Sequence, residues 1–451
     1  MMQFELTKDF LETLNLAVEV NNESKVLELI DGLQSADIAE IIDEQTLEEA
    51  IAFYQFFSQE QAADILIELD EGARERILNS LSSEEIAKQF IDNMDSDDAA
   101  DVLAEMSDEK KNEVISHLED FEQASDIVDL LSYEEDTAGG LMAKELFKVD
   151  INWDIKTCIN ELRIQSQDIE QVYTVYVVDD KNILQGIVSL KRLLLTPDNK
   201  KIKDIYNDNI ISVKANVKDE EVGNIMDKYD LVVVPVVDEI GRLLGRITID
   251  DVVEVIKEEA EKDYQMASGI SENVESSDSV WLLTRARLPW LFIGLFGGIL
   301  GARVIGNYEH ELQLHPEMAI FIPLIAAMAG NVGVQSSAIV VQGLANNSLG
   351  LDGLWSKLLK ELGVALINGV VLSSLIFGYC FFFEASTALS LTVSIALLSV
   401  IIFAALFGTI VPLLLNKYKV DPALATGPFI TTVNDIFGLF LYFLIGHLMY
   451  L

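Results

Sequence analysis

Hydrophobic positions follow two regimes along the chain. From Arg285 onward they run almost unbroken, and five stretches, about 288–306, 318–344, 358–383, 388–415 and 423–451, are long and apolar. A helix needs roughly 17 to 25 residues to cross a bilayer at about 1.5 Å per residue, so each stretch predicts a membrane span. Before Arg285 the apolar positions come in short amphipathic sets. Over residues 1–133, units such as 62–69 and 99–106 recur at irregular spacings of roughly 11 to 25 residues, which predicts short helices stacked into a superhelical array. Thr46-x-x-Glu49, Ser58-x-x-Gln61 and Ser82-x-x-Glu85 are capping-box starts, and Ser96 and Ser107 are further candidate N-caps.

Residues 176–194 and 235–253 form an internal repeat offset by 59 positions, with Gly186 matching Gly245 and Ser189 matching Thr248. Each copy reads as strand, polar turn, strand and helix, preceded by a helical stretch at 155–165 or 220–229. This pattern resembles a tandem pair of CBS domains over about 137–259. The resemblance implies an adenine-nucleotide site, ATP being the candidate ligand, where a Ser/Thr is followed three residues later by Asp. Thr248 and Asp251 supply that pair in the second copy, whereas the first copy has Arg192 in place of the Asp.

The expected architecture is therefore a multidomain membrane protein. An all-α superhelical N domain (1–133) precedes an α/β tandem CBS pair (134–253), a connecting or plug helix region (254–284) and a five-helix all-α transmembrane domain (285–451). Arg285 and Arg287, Lys357 and Lys360, and Lys417 and Lys419 flank alternate ends of the spans, while 307–317 and 384–387 contain no Lys or Arg. The positive-inside bias puts the large N-terminal part in the cytoplasm and the C-terminus outside. Residues 1–10 lack both the basic start and the apolar core of a signal peptide, and Cys158 and Cys380 suggest no disulfide framework.

Charge sharpens the picture. The chain carries a formal net charge of −43, and 66 of its 74 acids but only 24 of its 31 basic residues precede Arg285. Such self-repulsion disfavours nucleic acid or an anionic bilayer surface as partner and is relieved by divalent cations. A well-solvated acidic surface is the plainer explanation. Two acidic sets stand out. Asp97 and Asp101, four apart, share one face near a helix start, where capping the helix dipole is as good an account as metal binding. In 250–263, Asp251, Glu254 and Glu258 share a stripe of an acidic helix that leads toward the membrane and also suits a solvated connector.

In the membrane part, the formal charges read as lying at depth are Arg303, near the outer end of the first span, and Asp435 in the last. A carboxylate at membrane depth costs roughly 2.5 to 3.5 kcal/mol on insertion scales, so it faces a wet cavity, a partner or an ion. Five helices with one buried acid make a poor closed pore alone, which predicts a homodimer with two Asp435 carboxylates facing one axis. Pro323, Gly330, Asn331, Gly333, Gln335, Ser336 and Ser337 interrupt the second span, either for close helix packing or to loosen the helix and free carbonyl ligands. Pro428 predicts a kink or a helix start in the fifth.

Taken in order, these features resemble the MgtE family of magnesium transporters over essentially the whole chain. The specific marks are Gly330-Asn331-x-Gly333-x-Gln335, Asp421-Pro422-Ala423, Thr431-Thr432-x-x-Asp435-x-x-Gly438 and Tyr133-Glu134-Glu135-Asp136-x-Ala138-Gly139-Gly140-Leu141-Met142. The resemblance implies a homodimeric, non-enzymatic Mg²⁺ channel in the bacterial plasma membrane, in contact with lipid and closed by cytoplasmic Mg²⁺. Asp435 would hold a hydrated ion, with Gly330, Asn331, Gln335, Thr431 and Thr432 about the pore and Asp421 near its cytoplasmic mouth. Asp97, Asp101, Glu220, Asp230, Asp251, Glu254, Glu259 and Asp263 would form the sensing sites. Asp227 falls where family members can use a backbone group. Lys218 and Lys262 stand where some members carry acids, and Gln342 replaces a residue that is often Arg.

Three rival functions remain open on sequence: a broader carrier of Mn²⁺, Co²⁺ or Ca²⁺, a CBS-regulated anion channel, and a membrane-embedded enzyme. An anion channel requires basic or helix-terminal anion sites in the membrane. His310, His315 and His447 lack helical ligand spacing, and no nucleophile, base or phosphate loop accompanies them.

Overall fold

The computed structural model describes the chain except for residues 1–3, 5, 166–171, 173, 272–273, 275–278, 346–353, 384–385, 426 and 451. Parts of the expected connector, of the basic-free loop 384–387 and of the fifth span thus lie outside the described residues. The chain divides into two compact units, Met1–Lys257 and Glu258–Leu451.

In the first unit ten helices of 7 to 12 residues, α1 (Lys8–Glu19) to α10 (Phe121–Leu130), follow one another among the described residues. None can bury its own apolar face, so they share one core that includes Leu14, Ile41, Phe53, Ile65, Leu66, Ile86 and Leu103. The three capping boxes form as expected, opening α4 (Leu47–Tyr54), α5 (Gln59–Ile67) and α7 (Ser83–Gln89). A fourth, Gln34 with Asp37, opens α3 (Ser35–Asp43). Ser107 caps α9 (Asp108–His117). Ser96 does not cap α8 (Ser96–Ala104): Asp95 holds the N-cap position, and the Ser96 hydroxyl donates instead to Glu145 at 2.9 Å.

Two sheets follow, with one topology. In the first, β1 (Phe147–Asp150) pairs parallel with β2 (Val175–Val178), which pairs antiparallel with β3 (Leu184–Val188). In the second, β4 (Val213–Lys214), β5 (Val233–Val237) and β6 (Leu243–Thr248) repeat that order and sense. A helix separates the parallel strands in each half, α11 (Ile155–Gln165) or α13 (Asp219–Tyr229). The repeat read from the sequence is the antiparallel hairpin with its following helix, α12 (Leu190–Leu195) or α14 (Ile249–Ala267). The short parallel strands β1 and β4 carried no such signal.

Among its described residues the second unit contains five helices long and apolar enough to cross a membrane: α15 (Val280–Asn307), α17 (Ile322–Ala345), α18 (Leu354–Phe383), α19 (Thr387–Lys417) and α20 (Gly427–Tyr450), with the short α16 (Glu309–Leu314) after α15. α15 begins eight residues before the expected span and carries Arg285 and Arg287 within its first two turns. α17 is continuous from Ile322 to Ala345, so the glycines and polar residues of the second span pack helices and free no carbonyl ligands. Pro428 is the second residue of α20, a position where its missing N–H breaks no intrahelical bond.

Candidate functional site

Glycines bring α15, α17 and α20 together around Asp435. A Cβ on Gly297 of α15 would collide with Thr432, and one on Gly330 of α17 would lie 3.0 Å from Thr431 Cγ2 and 3.3 Å from Asp435 Oδ1. The absent side chains are what let α20 lie this close. Beside the contact is a cleft of about 300 Å³ lined by Gly294, Gly297, Gly298, Gly301, Ala326, Thr432 and Asp435 among others. Its other lining residues, Ala302, Ile305, Ile436 and Leu439, are apolar, so no Lys, Arg or His faces Asp435 from the described wall. A half-buried carboxylate beside the Thr432 hydroxyl, on a wall otherwise of glycines and apolar side chains, has the chemistry to suit a cation that keeps its water.

The expected pore residues divide. Asp435 and Thr432 line the cleft, and Gly330 and Thr431 pack at its edge. Asn331 and Gln335 lie elsewhere on α17 and are exposed within the single chain. α18 adds a charge overlooked in the sequence: Glu361 accepts a hydrogen bond from Ser336 Oγ of α17 at 2.6 Å. The histidines form no metal group among the described residues. His447 pairs with Glu311 at 3.0 Å, and His315 lies 3.4 Å from Glu317 and stacks on Tyr450.

At the other end of α20, the chain turns through Gly269 (φ +81°) and Gly427 (φ +51°), a backbone region that glycine enters at little cost. Gly269 sits against Pro428 and Gly427 against the Ala267 carbonyl, so the end of α14 abuts the start of α20. Here Asp263 is raised above the usual carboxylate range by burial and by the nearby Asp421 and Glu259 carboxylates, with Lys262 opposing. Three expected metal ligands are thus neighbours. Lys262 pairs with Glu259 at 2.8 Å.

The first unit concentrates carboxylates further. Oxygen atoms of Asp95, Asp97 and Glu145 all lie within 4.8 Å of one another, and Asp97 Oδ1 is shut off from solvent with no hydrogen-bond partner among the described residues. Burial first, then Asp98, Asp251, Glu145 and Asp95, push Asp97 well above its usual range. Burial and the Asp95, Asp101, Asp251 and Glu254 carboxylates push Asp98 up to about 7. Asp101 keeps part of its surface open, yet desolvation of its carboxylate and the nearby Glu254 and Glu135 also hold it at about 7. Arg246, 3.9 Å from Asp95, offsets only part of this. Orphaned, crowded carboxylate oxygens are the donor set that a hard divalent cation takes, so these residues fit Mg²⁺.

Asp97, Asp101, Asp251 and Glu254, which the sequence left on two separate helices, are electrostatic neighbours in the fold. Asp95 and Asp98 were visible only as part of the same acidic run, and Glu145 carried no signal because only the fold returns it to α8. Glu220, Asp227 and Asp230, on α13 and its C-cap, are exposed and join no group of three carboxylates among the described residues. Lys218 pairs with Glu134 and Asp136. At the position expected for a nucleotide, Asp251 Oδ2 accepts from both the Thr248 amide, at 3.0 Å, and the Thr248 hydroxyl.

Five membrane-length helices following a CBS pair, with an acid facing a cleft among the helices, define a multipass membrane protein of the transporter class. Profiles of known families agree. The MgtE divalent cation transporter family matches residues 322–445, the MgtE intracellular N domain 33–136, and CBS domains 138–197 and 202–258. The chain is 30% identical to the magnesium transporter MgtE of Bacillus subtilis over 92% of both proteins. It is 34% identical to that of Thermus thermophilus over 71% of both, and 36% identical to that of Enterococcus faecalis over 70% of this chain and 69% of the relative. This chain belongs to the MgtE family. A crystal structure of the cytosolic domain of the Mg²⁺ channel MgtE in complex with ATP aligns with a TM-score of 0.51 at 29% identity, covering 54% of this chain and 99% of that one.

Proposed function

We propose that this protein carries Mg²⁺ across a bacterial plasma membrane as a homodimeric channel, with Asp435 holding the hydrated ion. The observation that carries the reading is the Asp435 carboxylate in a cleft among α15, α17 and α20 with no basic residue among the described residues of its wall. Mg²⁺ sheds water reluctantly, so a carboxylate that bonds to its hydration shell attracts it without a tight cage, and a hold loose enough to release is what conduction needs. Two copies related by a dyad would double the negative charge at the ion. The described wall offers an anion the Thr432 hydroxyl but no positive charge, beside a carboxylate that repels it, which disfavours the anion channel.

Regulation by cytoplasmic Mg²⁺ is part of the same proposal. The carboxylates about Asp97 and Asp251, and those about Asp263 and Asp421, repel one another when no cation is bound; bridging ions would draw them together and favour a closed pore. Several weak sites multiply their bias into a steep response. The ATP complex of the related cytosolic domain supports a nucleotide role for Thr248 and Asp251. The Lys/Arg-bearing ends of the spans support a cytoplasmic N-terminus and an external C-terminus. Flux into liposomes from a panel of Mg²⁺, Mn²⁺, Co²⁺ and Ca²⁺, with and without Mg²⁺ on the cytoplasmic side, tests the whole reading. Selective Mg²⁺ flux that falls as cytoplasmic Mg²⁺ rises is expected; equal flux of all four ions would favour the broader carrier.

A further inference from the structure

Asn434, the residue before Asp435, is fully buried, and neither Oδ1 nor Nδ2 has a hydrogen-bond partner among the described residues. Buried amides are nearly always paired, so an unpaired one at this position calls for a role. Its amide nitrogen points at Gly333 of α17: a Cβ there would overlap Asn434 Nδ2 and stand 2.9 Å from Ile430 Cγ2. From the far side α19 reaches the same level through Gly408, whose added Cβ would collide with the Gly333 carbonyl. One turn earlier on α17, Gly330 makes the notch for Thr431 and Asp435. Side chains three apart on α20 thus seat in glycines three apart on α17.

Neighbouring residues are about 100° apart around a helix, so any rotation of α20 that moves Asn434 in its notch swings Asp435 across the cleft. Resting on the reading of Asp435 as the pore carboxylate, we propose that Asn434 and Gly333 form a steric key that fixes the rotation of α20 and so selects among hydrated cations. Asn434 is a positioning residue and touches no ion.

The test uses the full chain in liposomes, with Mg²⁺ and Ca²⁺ influx measured separately and folded yield followed by gel filtration. Asn434→Ala removes the key without adding atoms and is expected to lower the Mg²⁺-to-Ca²⁺ flux ratio by about threefold or more, the scale of coupling between contacting residues. Gly333→Ala overpacks the notch and is expected to lower Mg²⁺ flux by about tenfold or more, and the double variant, with room restored, recovers most of that loss. A purely structural role would change folded yield and scale both fluxes alike. The key is refuted by an unchanged ion ratio in folded Asn434→Ala, or by losses that simply multiply in the double variant. If Gly333→Ala does not fold, the ion ratio of Asn434→Ala decides alone. Wild-type protein without Mg²⁺ flux, or Asp435→Ala with full flux, would overturn the pore reading itself; loss of the key alone leaves that reading standing.

Discussion

The acidic cluster of the first unit makes stability depend on pH in an unusual direction. Asp98 moves from an ordinary 3.8 to about 7 because its carboxylate is desolvated and faces Asp95, Asp101, Asp251 and Glu254. An acid raised in this way keeps its proton in the folded chain after the unfolded chain has lost it, so stability is full below about pH 4 and is lost as pH climbs through 7. At about 1.36 kcal/mol per unit, the three-unit shift bounds the loss at roughly 4 kcal/mol, and water reaching this partly buried side chain lowers that figure. A cation bound at 100 times its dissociation constant returns about 2.7 kcal/mol. Hydrogen exchange of the α8 amides in the full chain, corrected for the intrinsic rate, measures this local stability. Protection is expected to fall between pH 4 and 7 without divalent ions and to be restored by Mg²⁺ at pH 8. Mg²⁺ should have little effect near pH 4, where the ligands are protonated. Asp98→Asn should flatten the pH profile. Protection that rises or stays level from pH 4 to 7 without Mg²⁺ would refute the reasoning.

Asp435→Ala is expected to abolish Mg²⁺ flux and Asp435→Asn to leave weak, less selective flux; unchanged uptake by folded Asp435→Ala protein would contradict the pore assignment. Ser82→Ala breaks the box that opens α7 and should cost about 1 kcal/mol, read by chemical denaturation of the full chain. Asp251→Asn should weaken ATP binding measured by calorimetry, while binding that survives intact would move the ribose contact elsewhere. Protease sites in 254–271 should become protected as Mg²⁺ rises from zero to millimolar, and a cleavage pattern indifferent to Mg²⁺ would count against ion-driven closure.

Local chemistry was legible wherever it decides structure by itself. The five spans follow from unbroken apolar length, because a bilayer leaves the backbone of such a segment little choice but a helix. The three capping boxes follow from donors and acceptors three residues apart. The hairpin repeat follows from alternation and two matched glycines. The Ser96 cap failed because Asp95 offers the same capping position and Glu145, 49 residues away, claims the hydroxyl. Glycines in the second span could have loosened α17, but α19 and α20 packing on them held it regular.

Composition along the chain is enough to put a single acid, with no basic residue beside it, in the last membrane span and to gather the negative charge ahead of the membrane, since neither depends on packing. Which carboxylates come close together was decided by packing. Glu145 reaches Asp95 and Asp97 through the turn of the chain after α10, and Asp263 meets Asp421 through the approach of α14 to the start of α20. The notches that seat Thr431, Asn434 and Asp435 are likewise properties of two helices together. A glycine states only that room exists; the neighbour that fills the room is chosen by packing.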